Sequence, residues 1–164
     1  MVRKYTSALV FGALFVLGCE NGEDRAAREQ AEHDAALQVA RADSTAQASA
    51  AWDPAAFDSI AWDEDAARLE RGQVVWSFSC ARCHGASGRG DGEVAAEHNL
   101  TMPTLLDPGW ALAGNIEEIR HTTFVGHTSE MPNWGLVGLK ARDLDAVAYF
   151  VDAGLRGSVA EQPE

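Results

Sequence analysis

Cys80-Ala81-Arg82-Cys83-His84 is the stretch that most restricts what this chain can become. A Cys-x-x-Cys-His run reads as a covalent attachment site for a c-type haem: both thiols add to the vinyl groups of one porphyrin, and the histidine behind them is placed to ligate its iron. Five residues then account for three functional groups. A zinc site asks for a second Cys/His pair at ligand spacing, and the only other cysteine is Cys19. A redox dithiol has no need of the adjoining histidine, and a structural disulfide is the remaining alternative. Haem would also solve a packing problem. A Gly-rich domain over residues 64–156, about 93 residues, buries little apolar surface alone, and a covalently held haem gives its helices a large apolar body to enclose.

Other elements accompany the motif in order. Gly72-x-x-x-Trp76-x-x-x-Cys80 leads into it, and Gly85, Gly88, Gly90 and Gly92 follow. Then come Pro103, Met131-Pro132-x-Trp134 and, near the end, Val147-Ala148-Tyr149-Phe150. Taken together, residues 64–156 resemble the class I, mono-haem cytochrome c family. The resemblance implies an all-α domain wrapped around one covalently attached haem c with its iron. It also implies that Gly72 lets the last helix cross at close range. A carbonyl beside Pro103 would orient the His84 imidazole, and Trp134 would stand with Met131 and Pro132 against the haem.

The second axial ligand decides the function. Haem with an open face performs oxygen, peroxide or gas chemistry, whereas haem ligated on both sides mostly shuttles electrons. Met131 lies 47 residues after His84, in the order and approximate spacing of the family's Met-Pro ligand loop. Met102 also precedes a proline, but 18 residues is a short path to the opposite face of the ring. His98, His121 and His127 are the other candidates, although His121 and His127 are most simply polar surface or loop residues. Thioether sulfur is a neutral, soft donor that favours Fe(II), so His84/Met131 ligation raises the reduction potential.

The N-terminus points to export. Arg3 and Lys4 precede an eleven-residue apolar run over residues 8–18, too short to span a bilayer and proportioned like a signal-peptide core. Val16-Leu17-Gly18-Cys19 resembles the bacterial lipobox, in which cleavage leaves an acylated cysteine. The division expected is therefore a signal peptide over 1–18, a lipidated Cys19 with an acidic, Ala-rich flexible tether to residue 63, the haem domain over 64–156, and a flexible tail over 157–164. Few large apolar side chains precede Trp52 and Phe57, so the tether cannot fold alone, although Arg25–Arg41 is Ala-rich enough for partial helix. Trp52, Phe57 and Trp62 are the anchors by which it would order on a partner. The formal charge is −12, and removing residues 1–18 takes away two positive charges and no negative ones, which leaves −14. Such a charge excludes nucleic acid as a natural partner and favours a basic docking surface.

Within the domain, Asp63 is a suitable N-cap for a first helix whose opening turn holds Glu64 and Asp65. Asn115–Phe124 reads as a middle helix with Ile116 and Ile119 inward. Leu144, Val147, Ala148 and Val151 form an i, i+3, i+4, i+7 stripe on a last helix over 141–153, with Lys140 a poor cap and Gly154 a terminator. No general base, nucleophile or substrate pocket is visible. The expectation is thus an electron carrier and not an enzyme, lipid-anchored on the periplasmic side of a bacterial membrane, serving redox partners of a respiratory chain alone or as a subunit. The alternative is a haem enzyme or gas sensor with a labile or open sixth position.

Overall fold

The computed structural model describes residues 21–157, and among them every regular element is helical. The signal segment, Cys19 and residues 158–164 of the tail lie outside the described residues. Helix α1 spans Gly22–Ala51, longer than the Arg25–Arg41 stretch the composition suggests. Asn21 caps it by accepting from the Asp24 amide at 2.8 Å. The chain divides at Ala36 into two compact units. In the first, residues 21–36 are exposed throughout, so their helicity rests on alanine's propensity and on local pairs such as Gln30 to Asp34 at 2.9 Å.

The second unit begins at Leu37, well ahead of residue 64. Its upstream part is held by the three aromatics that the sequence offers as anchors for an outside partner. Trp52 lies 5.3 Å from the Phe124 ring and 5.2 Å from that of His121. Phe57, at the end of the single turn Pro54–Phe57, is buried, and the Trp62 indole donates to Asp145 Oδ2 at 2.7 Å. Large rings bury more area against their own domain than a solvated tether could leave exposed without cost, which draws this segment in.

Helix α2 spans Asp65–Val75 and widens into a π-type turn at Trp76–Cys80 before α3, Ala81–His84. Its cap position falls on Glu64 and not on Asp63, without a side-chain bond. A short α4, Glu93–Glu97, follows the glycine loop, in which Gly85, Gly88 and Gly90 adopt positive φ. Helix α5 is Ile116–Val125, capped by Asn115 accepting from the Glu118 amide at 3.1 Å, and α6 is Trp134–Val137. Helix α7, Ala141–Tyr149, continues as a wide π-type turn through Phe150–Arg156.

Helices α2 and α7 cross at Gly72, where a Cβ would stand 2.2 Å from the Ala146 carbonyl oxygen, so no other residue permits this approach. The expected stripe is buried: Leu144, Val147, Ala148 and Val151 all face the core. Gly154 does not end the helix as expected. The wide turn runs past it, and its missing Cβ makes room for the Phe150 ring.

Beside that stripe, Asp145 is only 2 % exposed and joins three helices. Arg68 of α2 grips it with Nε at 2.9 Å and Nη2 at 2.6 Å, Arg120 of α5 donates to Oδ1, and the Trp62 indole completes the set. The guanidinium groups are themselves covered by rings, Arg68 by Tyr149 and Arg120 by Phe57. Among the described residues no helix is long and apolar enough to cross a membrane.

Candidate haem site

The attachment motif sits where α2 widens. Irregular π-type turns are frequent at functional sites because they re-aim side chains that a regular helix would stagger. Here the turn leaves Trp76 and Cys80 both buried, with the Trp76 indole anchored to the Ala86 carbonyl at 3.1 Å. Cys80 and Cys83 are free thiols. Burial, with the neighbouring Cys83 thiol adding to it, pushes the Cys80 thiol up to about 12, so it is protonated at neutral pH. Burial also lowers the pKa of His84, which keeps the imidazole neutral and able to donate a lone pair to a metal.

Two cavities share Cys80, His84, Met102, Glu130 and Met131 in their walls. One, of about 440 Å³, is also lined by Trp76, Pro103, Leu105, Trp110, Leu112, Ile119, Val147 and Val151. The other, of about 600 Å³, adds Cys83, His98, Leu100, Pro132, Trp134 and Arg41. Every proposed haem-binding residue therefore borders one cavity or both. Volumes of this size suit a flat organic group, with the mostly apolar wall of the smaller cavity around its body and the charged side chains of Arg41, Arg82 and Glu130 around the larger one.

One atom tests the fit directly. His84 Nδ1 is buried with no hydrogen-bond partner, an arrangement proteins seldom tolerate unless the ring serves chemistry. A neutral, partly orphaned imidazole, two thiols beside it and thioethers across an apolar cavity are the donor set of a covalently held haem. The bond expected from a carbonyl beside Pro103 is not made in this arrangement; Pro103 contributes to the cavity wall instead.

The other ligand candidates separate. His121 meets the Trp52 ring edge-on, its Nδ1 lies 3.6 Å from Glu118 Oε1, and it lines neither cavity. His127, read from sequence as a surface residue, is exposed yet also lines the smaller cavity, and its amide donates to the Met131 carbonyl at 3.0 Å. Met102 and His98 reach the walls as well. Sequence reasoning missed Arg41, whose side chain arrives from 89 residues upstream of Glu130, and no local pattern announces it.

An all-helical fold that turns a Cys-x-x-Cys-His motif into an apolar cavity faced by methionine defines a c-type cytochrome domain, with covalently held haem c as its cofactor. More narrowly, the chain belongs to the family of cytochrome c oxidase, cbb3-type, subunit III, which matches residues 67–151. Its relatives include the cbb3-type cytochrome c oxidase subunit CcoP of Cereibacter sphaeroides, 34 % identical over 95 residues that cover 58 % of this chain and 30 % of that protein. The CcoP subunit of Rhodobacter capsulatus is 33 % identical over 93 residues, covering 53 % and 29 %. That of Azospirillum brasilense is 33 % identical over 70 residues, covering 43 % and 23 %. The chain thus spans under a third of the length of these relatives. No solved structure matches it. The family corrects one expectation: its relatives are subunits of an oxidase, an enzyme complex, so setting the chain apart from enzymes does not hold.

Proposed function

We propose that the chain is a membrane-tethered electron-transfer domain that carries one haem c, with iron between His84 and Met131, and passes single electrons in a respiratory chain as part of an oxidase complex. The observation that carries this reading is the convergence of Cys80, His84 and Met131 on one apolar cavity. When bound, the haem supplies one-electron Fe(III)/Fe(II) chemistry.

The chain's own residues do the rest. Cys80 and Cys83 hold the group by thioether links. The neutral His84 imidazole would supply one donor to the iron, and the Met131 sulfur, soft and uncharged, would supply a second that favours the reduced state. Leu105, Ile119, Val147 and Val151 exclude water, which disfavours the extra charge of the oxidised state. Phe78, two residues before Cys80 and 81 % exposed, with Ala86 also exposed, leaves an approach beside the attachment site that is uncharged apart from Arg82. The acidic surface steers a basic partner toward it, at a rate that falls as salt rises.

Anchoring would come from a lipidated Cys19 on the periplasmic side of the membrane. One acyl chain binds membranes only marginally and two bind stably. Cys19→Ser is therefore expected to leave the haem domain held only through the complex, so that a high-salt wash releases its absorbance from membranes that retain the wild type. In wild-type detergent extracts the same absorbance should sediment with an oxidase-sized assembly. Equal release of wild type and Cys19→Ser by that wash, or an unacylated N-terminus by intact mass, would rule out the lipid anchor, and haem that sediments as a lone small protein would rule out the complex.

A further inference from the structure

The part of α1 within the second unit presents Arg41, Ser44, Thr45 and Ala48 on one face, at i, i+3, i+4 and i+7, and these positions are shielded while their neighbours are exposed. The stripe is polar, and it meets the loop that carries Met131. Arg41 Nη2 donates to Glu130 Oε2 at 2.8 Å, and its Nη1 lies 2.7 Å from Glu130 Oε1 and 2.9 Å from the Ser129 carbonyl. On the far side of Met131-Pro132, the Asn133 side-chain Nδ2 donates to the Ser44 carbonyl at 3.2 Å and to the Ser44 hydroxyl. Asn133 is 9 % exposed. The loop is thus gripped immediately before and immediately after Met131 and Pro132. Gly126 lies under it, where a Cβ would stand 2.7 Å from the Met131 oxygen and from the Asn133 nitrogen.

We propose that Arg41 and Ser44 are positioning residues that lock the Met131 loop against the cavity, so that this last part of α1 sets how firmly the sixth position of the iron is held. This rests on the reading of Met131 as the sixth ligand. The forked, charge-assisted contact to Glu130 specifies geometry as well as attraction. Arg41 and Glu130 keep 32 % and 42 % of their side-chain exposure, so the lock is adjustable: an exposed pair is weak enough to open and to respond to whatever pulls on the helix. The coupling is local and physical, because the same side chains touch both the helix and the ligand loop.

The test uses the full-length haem protein and compares wild type, Arg41→Lys and the double variant Arg41→Met with Ser44→Ala. Three readouts are taken: the near-red iron–thioether band of the oxidised protein, the rate of carbon monoxide binding to the reduced protein, and hydrogen exchange of the His127 and Trp134 amides. Those amides close the loop on the Met131 and Pro132 carbonyls, at 3.0 Å each. The double variant is expected to weaken the band and to raise both carbon monoxide binding and exchange at these amides by roughly threefold to tenfold, with Arg41→Lys intermediate because it keeps the charge and loses the fork. Unchanged exchange at these amides in the double variant overturns the lock. So does an equal rise across α5 and α7, which would mark general loosening. If the wild type lacks the near-red band, the Met131 reading fails, and the exchange comparison still decides whether Arg41 and Ser44 hold the loop.

Discussion

Met131→Ala is expected to abolish the near-red band of the oxidised protein, open the iron to carbon monoxide and lower the reduction potential. Loss of the thioether removes the donor that favours Fe(II), and axial ligation alone spans about 0.8 V across haem proteins, so a fall on the order of 0.1 V or more is the scale to look for. Met102→Ala is the matched control, because Met102, like Met131, lines both cavities and also precedes a proline. The control should keep the band. If Met102→Ala removes the band and Met131→Ala spares it, the ligand assignment reverses; if wild type already binds carbon monoxide readily, the sixth position is open and the chemistry shifts toward gas binding.

The second large effect concerns the buried carboxylate. Asp145→Ala leaves the guanidinium groups of Arg68 and Arg120 facing each other, 15 % and 22 % exposed, with no anion between them. Breaking a buried ion pair by removing one partner costs about 3–5 kcal/mol, chiefly because the remaining charge stays desolvated. For a domain of this size that is a drop in melting temperature on the order of 10–20 °C. Changing Asp145, Arg68 and Arg120 together to apolar residues of similar volume should recover much of the loss, since the penalty lies in the uncompensated charge. A single variant that melts within a degree or two of wild type would show that the cluster contributes little. The cluster also explains why Trp62 lies within the fold, because its indole supplies one of the four hydrogen bonds to Asp145.

Much of the haem side of the molecule was legible because the signals are local. Cys80, Cys83 and His84 are adjacent in sequence, the Leu144 to Val151 stripe follows helical periodicity, and Gly72 announced a close crossing by its four-residue steps to Trp76 and Cys80. What escaped notice is polar and distant. Asp145 falls next to the apolar stripe and looks like a solvated position until Arg68 and Arg120, 77 and 25 residues away, are brought to it. The docking stripe on α1 contains an arginine, a serine, a threonine and an alanine, which no hydrophobic pattern flags. Asn133 pairs with Ser44 across 89 residues. Such contacts depend on the completed fold, and composition alone made the same segment read as tether.

A haem bonded to both Cys80 and Cys83 leaves its mark on the mass and colour of the polypeptide after denaturation and acid-acetone extraction. The precipitated chain is expected to keep the haem absorbance, at an intact mass that exceeds the bare polypeptide's by one haem. Recovery of all the haem in the solvent, with the polypeptide colourless and at the mass of the bare chain, would contradict it.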